Sequence, residues 1–182
     1  MTLATIMKLA LRQLDEADAD ISEHEELFRN YANMGYMIAL RMYYKPRQTL
    51  EFESDVYGNV ELNDPRIRRI IEVHDQTGRS VPFEIDGDGR TMHTGGWLEK
   101  VWVLCEYEYP AMKETLDVPV LPEFVHPALA DYICYRYLSC GSLAKQSRAE
   151  FFRDSFYEQM RAIMPQGTGS VTKKKNLYQA TN

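Results

Sequence analysis

The chain has 182 residues, 45% hydrophobic and 26% charged, enough to bury one sizeable core and about the length of one domain. Its longest apolar runs, at 37–40 and 101–105, are a few residues against the ~20 needed to cross a bilayer, so no transmembrane segment and no membrane partner are expected. The 27 acids exceed the 21 Lys and Arg, and residues 165–182 hold Lys173, Lys174 and Lys175 but no acid, so the body to residue 164 carries −9 and the tail +3. Such a body excludes ordinary duplex DNA binding, which needs a basic face to neutralise phosphates.

The first eight residues lack the basic start, apolar stretch and small-residue cleavage site of a signal peptide, so export is not expected. Leu3, Ile6, Met7, Ala10, Leu11 and Leu14 then mark one face of a short amphipathic helix. Seven acids follow between Asp15 and Glu26, where Ser22 and Glu25 have the spacing of a capping box opening a second helix. Leu27, Tyr31, Met34, Ile38 and Met42 form the apolar stripe expected to face its core, and Lys45-Pro46 should end it.

From residue 47 the period changes to two. Leu50 and Phe52 alternate with Glu51 and Glu53, and Val101, Val103, Cys105, Tyr107 and Tyr109 alternate with Trp102, Leu104, Glu106 and Glu108. Residues 67–74 and 81–85 are also β-rich, and Gly58-Asn59, Gly78, Gly87-Asp88-Gly89 and Gly95-Gly96 supply turns. The expectation is one antiparallel sheet of four or five strands over 47–110. After Pro110 the helical period returns: Pro119 and Pro122 keep 118–122 extended, and a helix then starts near Phe124, carrying Val125, Leu129, Tyr132, Ile133, Tyr137 and Cys140, with Gly141 placed to end it. A last helix over 143–164, with Ala149, Phe152, Phe156, Met160 and Ile163 on one stripe, should pair with it as an antiparallel hairpin. Beyond Pro165 the chain has too little apolar content to fold alone. The expected fold is therefore α+β: a mainly helical bundle from 1–45 and 111–164, an inserted small antiparallel sheet over 46–110, and an extended C-terminal arm over 165–182.

Chemistry-bearing motifs are sparse. His24, His74, His93 and His126 fall in four different elements without paired ligand spacing, so no metal is expected. Asp86-Gly87-Asp88-Gly89 opens like a calcium loop, but Arg90 stands at its fifth position and Trp97 at its twelfth, which favours a tight hairpin turn. The odd set Cys105, Cys134 and Cys140 lies in apolar periodic segments and reads as core filler in a reducing compartment. There is no nucleophile elbow and no glycine-rich phosphate loop. Glu106 and Glu108 could pair as acid and base, but such carboxylates more often form the solvated face of a strand. Neither an enzyme nor a cofactor is indicated.

Two strings carry a resemblance. The first is Leu11-Arg12-Gln13-Leu14-Asp15, an acidic loop, then 21–28 (ISEHEELF) and Asn30-Tyr31-Ala32-Asn33. The second is 121–132 (LPEFVHPALADY), followed by the hairpin with Ala149, Phe152 and Phe156. In order and spacing these ends, covering roughly 100 residues, resemble the head-tail adaptor (connector) proteins of tailed bacteriophages. The middle sheet resembles the insertion some members place between the helices.

That resemblance implies a structural virion protein at the head-tail interface, made in the host cytoplasm. Its members assemble as a ring, usually dodecameric, under the portal after DNA packaging, extend the DNA channel and form the platform for the tail or stopper. The family's C-terminal arm docks onto the portal, and the matching segment is 167–182. There Lys173, Lys174 and Lys175 are expected to meet carboxylates, while Leu177 and Tyr178 fill apolar pockets. An acidic wall would let packaged DNA pass without specific binding. Like-charged neighbours also repel, so the ring should form on a portal template rather than from the isolated chain. Two rival readings are a small α+β ligand-binding domain or enzyme, with Trp97, Trp102, Tyr107 and Tyr109 lining a pocket, and another tail-connection component such as a stopper, which should be mostly β.

Overall fold

The structure, a computed structural model, describes residues 1–15 and 21–164. Helix α1 (Leu3–Gln13) buries Leu3, Ile6, Met7, Ala10 and Leu11, the positions its three- and four-residue spacing marked. Thr2 starts it, its hydroxyl accepting the N–H of Thr5 at 3.3 Å. Helix α2 (Glu25–Ile38) runs without a break into a π-helical stretch, Ala39–Tyr44. It closes where the Lys45 N–H donates to Leu40 O at 3.0 Å, five residues back, and Pro46 follows, as the sequence reading expects.

Two details of α2 differ from expectation. The helix starts at Glu25 after a 3₁₀ turn at Ile21–Glu23, which puts Glu25 in its first position rather than its third, and the Glu25 carboxylate pairs with Arg29 one turn on. His24 rather than Ser22 therefore stands at the N-cap, and Glu25 is not the third helical residue that the expected capping box requires. The buried face is also rotated: Phe28, Ala32, Gly35, Tyr36, Ala39 and Leu40 face the core, whereas Leu27, Met34 and Met42 are exposed. The small residues explain the choice. A Cβ on Gly35 would stand 2.9 Å from Tyr132 Cγ, so the Ala32–Gly35–Ala39 side is the one that lets α2 approach its neighbour closely.

The middle region forms six strands in two sheets, not the single sheet expected. One has order β1 (Arg47–Glu53), β6 (Lys100–Tyr107), β3 (Ile67–His74), and the other β2 (Asn59–Glu61), β5 (Thr91–His93), β4 (Glu84–Ile85), antiparallel throughout. Strand β6 alternates as the sequence suggests, with Val101, Val103, Cys105 and Tyr107 buried. Val60 and Met92 of the second sheet share their apolar cluster, so two short sheets cover one layer of side chains. The strand expected over 81–85 shrinks to Glu84–Ile85; Pro82 has no N–H to give a ladder. The turn after β4 is a hairpin, with Asp86 N–H to Thr91 O at 3.0 Å and Gly89 N–H to Asp86 O at 2.8 Å.

A 3₁₀ turn at Glu123–Val125 leads into α3 (His126–Leu138), and Gly141 lies in the turn before α4 (Leu143–Ala162). The two pack as a hairpin, with Tyr132 of α3 against Phe156 of α4 at a ring separation of 4.8 Å. Ala149, Phe152, Phe156, Met160 and Ile163 are all buried, as the stripe suggested. The helices form an apolar cluster of their own, and Tyr109 packs against both this cluster and that of the sheets. The result is an α+β fold: a four-helix bundle built from both ends of the chain, with the strands between. The arm expected over 165–182 lies outside the described residues.

Cys105 and Cys134 are buried, but Cys140 is exposed, contrary to its reading as core filler, because α3 ends at Leu138 and the turn to α4 carries it to the surface. Burial pushes the Cys134 thiol up to about 12. A thiol reagent at neutral pH should thus modify one cysteine in the native protein, at Cys140, and three after denaturation. Fast modification of two or more would contradict this packing. Phe156→Ala should cost ~3–5 kcal/mol through the cavity left between α3 and α4, read from the urea midpoint.

Candidate functional site

Lys173, Lys174, Lys175, Leu177 and Tyr178 lie outside the described residues. The four aromatic residues of the ligand-binding reading are not gathered into one pocket. Tyr107 and Tyr109 meet edge to face at 5.5 Å, but Trp102 is offset by an odd number of residues and so points to the opposite face of β6, and Trp97 stands exposed on the loop before it. Tyr107 is committed elsewhere: its hydroxyl donates to Asp64 at 2.8 Å, and the Arg66 guanidinium lies 5.0 Å from its ring centroid. Hydrogen bonds from the Arg66 side chain hold the Asp64 carboxyl far below its ordinary range, as the nearby Arg66 backbone N–H does to a lesser degree.

Glu106 and Glu108 line a crevice where the end of α2 meets the sheet, with Arg41, Lys45 and Arg68. Glu108 pairs with Arg41, and Arg68 lies 3.9 Å from its other oxygen. The crevice holds about 10 Å³, room for one water at most, so this is an ion-paired joint rather than a substrate site. Among the described residues no three His, Cys, Asp or Glu side chains are grouped to hold a metal.

Two buried polar side chains, Asp131 and His126, tie the two ends of the chain together. Asp131 on α3 accepts Gln13 Nε2 of α1 at 2.8 Å, and Ser155 Oγ at 2.7 Å and Gln159 Nε2 at 2.9 Å of α4. Burial raises its pKa; the three donors act in the opposite direction. Fully buried His126 donates Nε2–H to Leu121 O at 2.8 Å, and its Nδ1 lies 2.8 Å from the amine of Met1. Gln13 belongs to the first resemblance string, and Leu121, His126 and Asp131 to the second. The sequence reading used these residues only as motif letters. The signal available was a lone acid, Asp131, within the apolar stretch 128–134.

Residues 110–122 form a strap across the bundle, of which only 118–122 is expected to be extended from its prolines. Its carbonyls at Thr115 and Asp117 accept the N–H groups of Ala4 and Leu3 at 2.9 and 2.8 Å, satisfying two donors that a helix start leaves unpaired. Asn33 of α2 bonds both N–H and C=O of Met112 at 2.8 Å, and Val120 N–H reaches the Tyr36 hydroxyl at 3.3 Å. The strap is thus pinned to α1 and α2 while Leu116, Val118 and Val120 stay exposed.

At the tip of the sheets the loops 54–59 and 94–98 are pinned to each other. Thr94 donates through its N–H and hydroxyl to Gly58 O at 2.9 and 3.0 Å, and a Cβ on Gly58 would meet Gly96 O at 2.6 Å. Backbone and side-chain donors of Asn59, then Tyr57 N–H, lower the Asp55 pKa. These loops present Val56, Tyr57 and Trp97 to solvent. Beside them an open groove of about 830 Å³ is lined by Glu51, Glu53, Asp55 and Glu61, with Lys100 paired to Glu51. No family model matches the chain, and no curated protein matches it.

Asp131→Ala should cost about 2–4 kcal/mol in urea unfolding, because it leaves three donors without their acceptor. Since its native pKa is raised, the contribution of Asp131 relative to Asp131→Asn should be complete below about pH 4 and diminish as pH rises through the native value. A carboxyl NMR titration placing Asp131 below 3.8 would contradict this.

Proposed function

We propose that the chain is a head-tail adaptor of a tailed bacteriophage, a ring subunit bound beneath the portal that extends the DNA channel and carries the tail or stopper. The observation that supports this best is the Gln13–Asp131 hydrogen bond of 2.8 Å. The two strings that carry the resemblance lie 118 positions apart at these residues and yet meet in one bundle, with the strands inserted between them. An assembled pair of ends is what the architecture implied by the resemblance requires. The carboxylates of the open groove suit a surface past which DNA slides, since they repel phosphate. The separation of Trp97 and Trp102 from Tyr107 and Tyr109 weighs against the ligand-binding alternative.

In this reading the arm over 167–182 docks on the portal, with Lys173, Lys174 and Lys175 against carboxylates and Leu177 and Tyr178 as apolar anchors. Electron microscopy of virions should find the chain as a ring between portal and tail. Truncation before Gly167 should leave a folded body that no longer binds portal, and Lys173→Glu with Lys174→Glu should weaken binding most at low salt. Undiminished portal binding by the truncated chain would reject the arm as the docking element.

A further inference from the structure

The two outer strands of the first sheet are finished differently. The ladder of β3 with β6 shifts register twice, and the segment after β3 folds back over its free side through Val81 N–H to Val73 O at 2.8 Å and a bridge between His74 and Ser80. Strand β1 has no such protection: it pairs with β6 in unbroken register from Arg47 to Glu53 and has no neighbour on its other side. Tyr107 N–H donates to Pro46 O at 2.9 Å, which marks a hydrogen-bonded pair, so residues 48, 50 and 52 also turn their main chain toward β6. The N–H and C=O groups of Thr49 and Glu51 therefore point away from the sheet, and among the described residues none pairs with them. The open groove of about 830 Å³ follows this edge, with Glu51, Phe52 and Glu53 on one side and Asn59 and Glu61 of β2, the outer strand of the second sheet, on the other. Of the four carboxylates that line it, Glu51 is paired with Lys100, whereas Glu53, Asp55 and Glu61 have no cationic partner among the described residues.

We propose that residues 171–178 of the same chain lie in this groove as an added strand on the free edge of β1, with Lys173, Lys174 and Lys175 among Glu53, Asp55 and Glu61. An edge that carries Glu51 and Glu53 repels a second copy of itself, so the strand it accepts is a basic one. Residues 173–175 are the only run of three cations in the chain, 165–182 holds no acid, and Val171, Thr172 and Tyr178 suit an extended segment. Length fits as well. The rings of Tyr157 on α4 and Tyr43 lie 6.5 Å apart, so α4 ends on the side of the bundle from which β1 departs. Seven residues take the chain from Tyr44 to Glu51, and nine separate Met164 from Lys173, a reach of up to ~30 Å. In a strand addition of this kind the main-chain bonds supply affinity and the side chains supply selectivity. In the adaptor reading, on which this one consequence rests, the body holds the portal-binding lysines until carboxylates of the portal compete for them.

The test is amide hydrogen exchange on the full chain at low salt. Amides of 171–178 and the Glu51 amide should exchange at least about tenfold more slowly than those of an unstructured peptide, and equally so on dilution. Lys173→Glu with Lys174→Glu should return both to unstructured rates, and so should Glu53→Lys with Glu61→Lys, two exposed positions whose exchange should leave the thermal melt unchanged. All four substitutions together should restore the protection, which a general loosening of the fold would not do. Unstructured rates over 171–178 in the wild-type chain would overturn the contact, as would protection that Glu53→Lys with Glu61→Lys leaves intact. Protection that fades on dilution would overturn it too, because the segment would then lie on a second copy. None of these outcomes touches the adaptor reading, which virion imaging tests, and a virion without a ring of this chain would leave the contact standing.

Discussion

No residue of helix α3 is exposed, and the bundle is organised around that fact. Residues 128–134 are buried in succession, and α1, α2 and α4 all pack on this helix. Tyr132 is held between Gly35 on one side and Phe156 on the other, and a single added methyl on Gly35 would collide with the ring. Close-packed interiors transmit such constraints, because a ring already wedged against another cannot yield by a few tenths of an ångström. The spacing of three helices is thus set by one tyrosine.

Over its buried stretch the helix has nowhere in solvent to send its polar groups. Asp131 meets this with one donor from α1 and two from α4, and His126 with the Leu121 carbonyl on one side and the Met1 amine on the other. Each of these bonds is modest in net terms, but an unmade one inside the core is expensive, so the network acts mainly as a selector of one arrangement of helices. The strap works by the same logic at the surface: two of its carbonyls complete the start of α1, and that need fixes the path of an otherwise irregular segment.

The long periodic elements were legible in the sequence. Leu3 to Leu11 and Ala149 to Ile163 repeat at helical spacing with polar residues between, so their faces admit one answer. Helix α2 was harder because it is apolar on two sides; hydrophobicity favours Leu27 and Met34, and only the need for closeness at Tyr132 selects Ala32, Gly35 and Ala39. The division of six strands into two sheets depends on pairings across tens of residues, such as β1 with β6, that alternation alone cannot assign. The surfaces were least legible. Nothing in the periodicity separates Phe151, exposed, from Phe152, buried. Glu106 and Glu108, a candidate acid–base pair on paper, line a joint already occupied by arginines.

The partnership of α1 with distant residues also bears on how the chain is made. The strand region from 47 to 107 has its pairing partners within itself and can collapse as soon as it leaves the ribosome. Helix α1 emerges before these strands, but its opening N–H groups wait for Thr115 and Asp117, and Gln13 waits for Asp131. At ribosomal rates of about 5–20 residues per second, that leaves an amphipathic helix with an open apolar face for roughly 6–25 seconds. During that interval Leu3, Ile6, Met7 and Leu11 have no core to enter, so a chaperone that shields short apolar helices would find its substrate in α1.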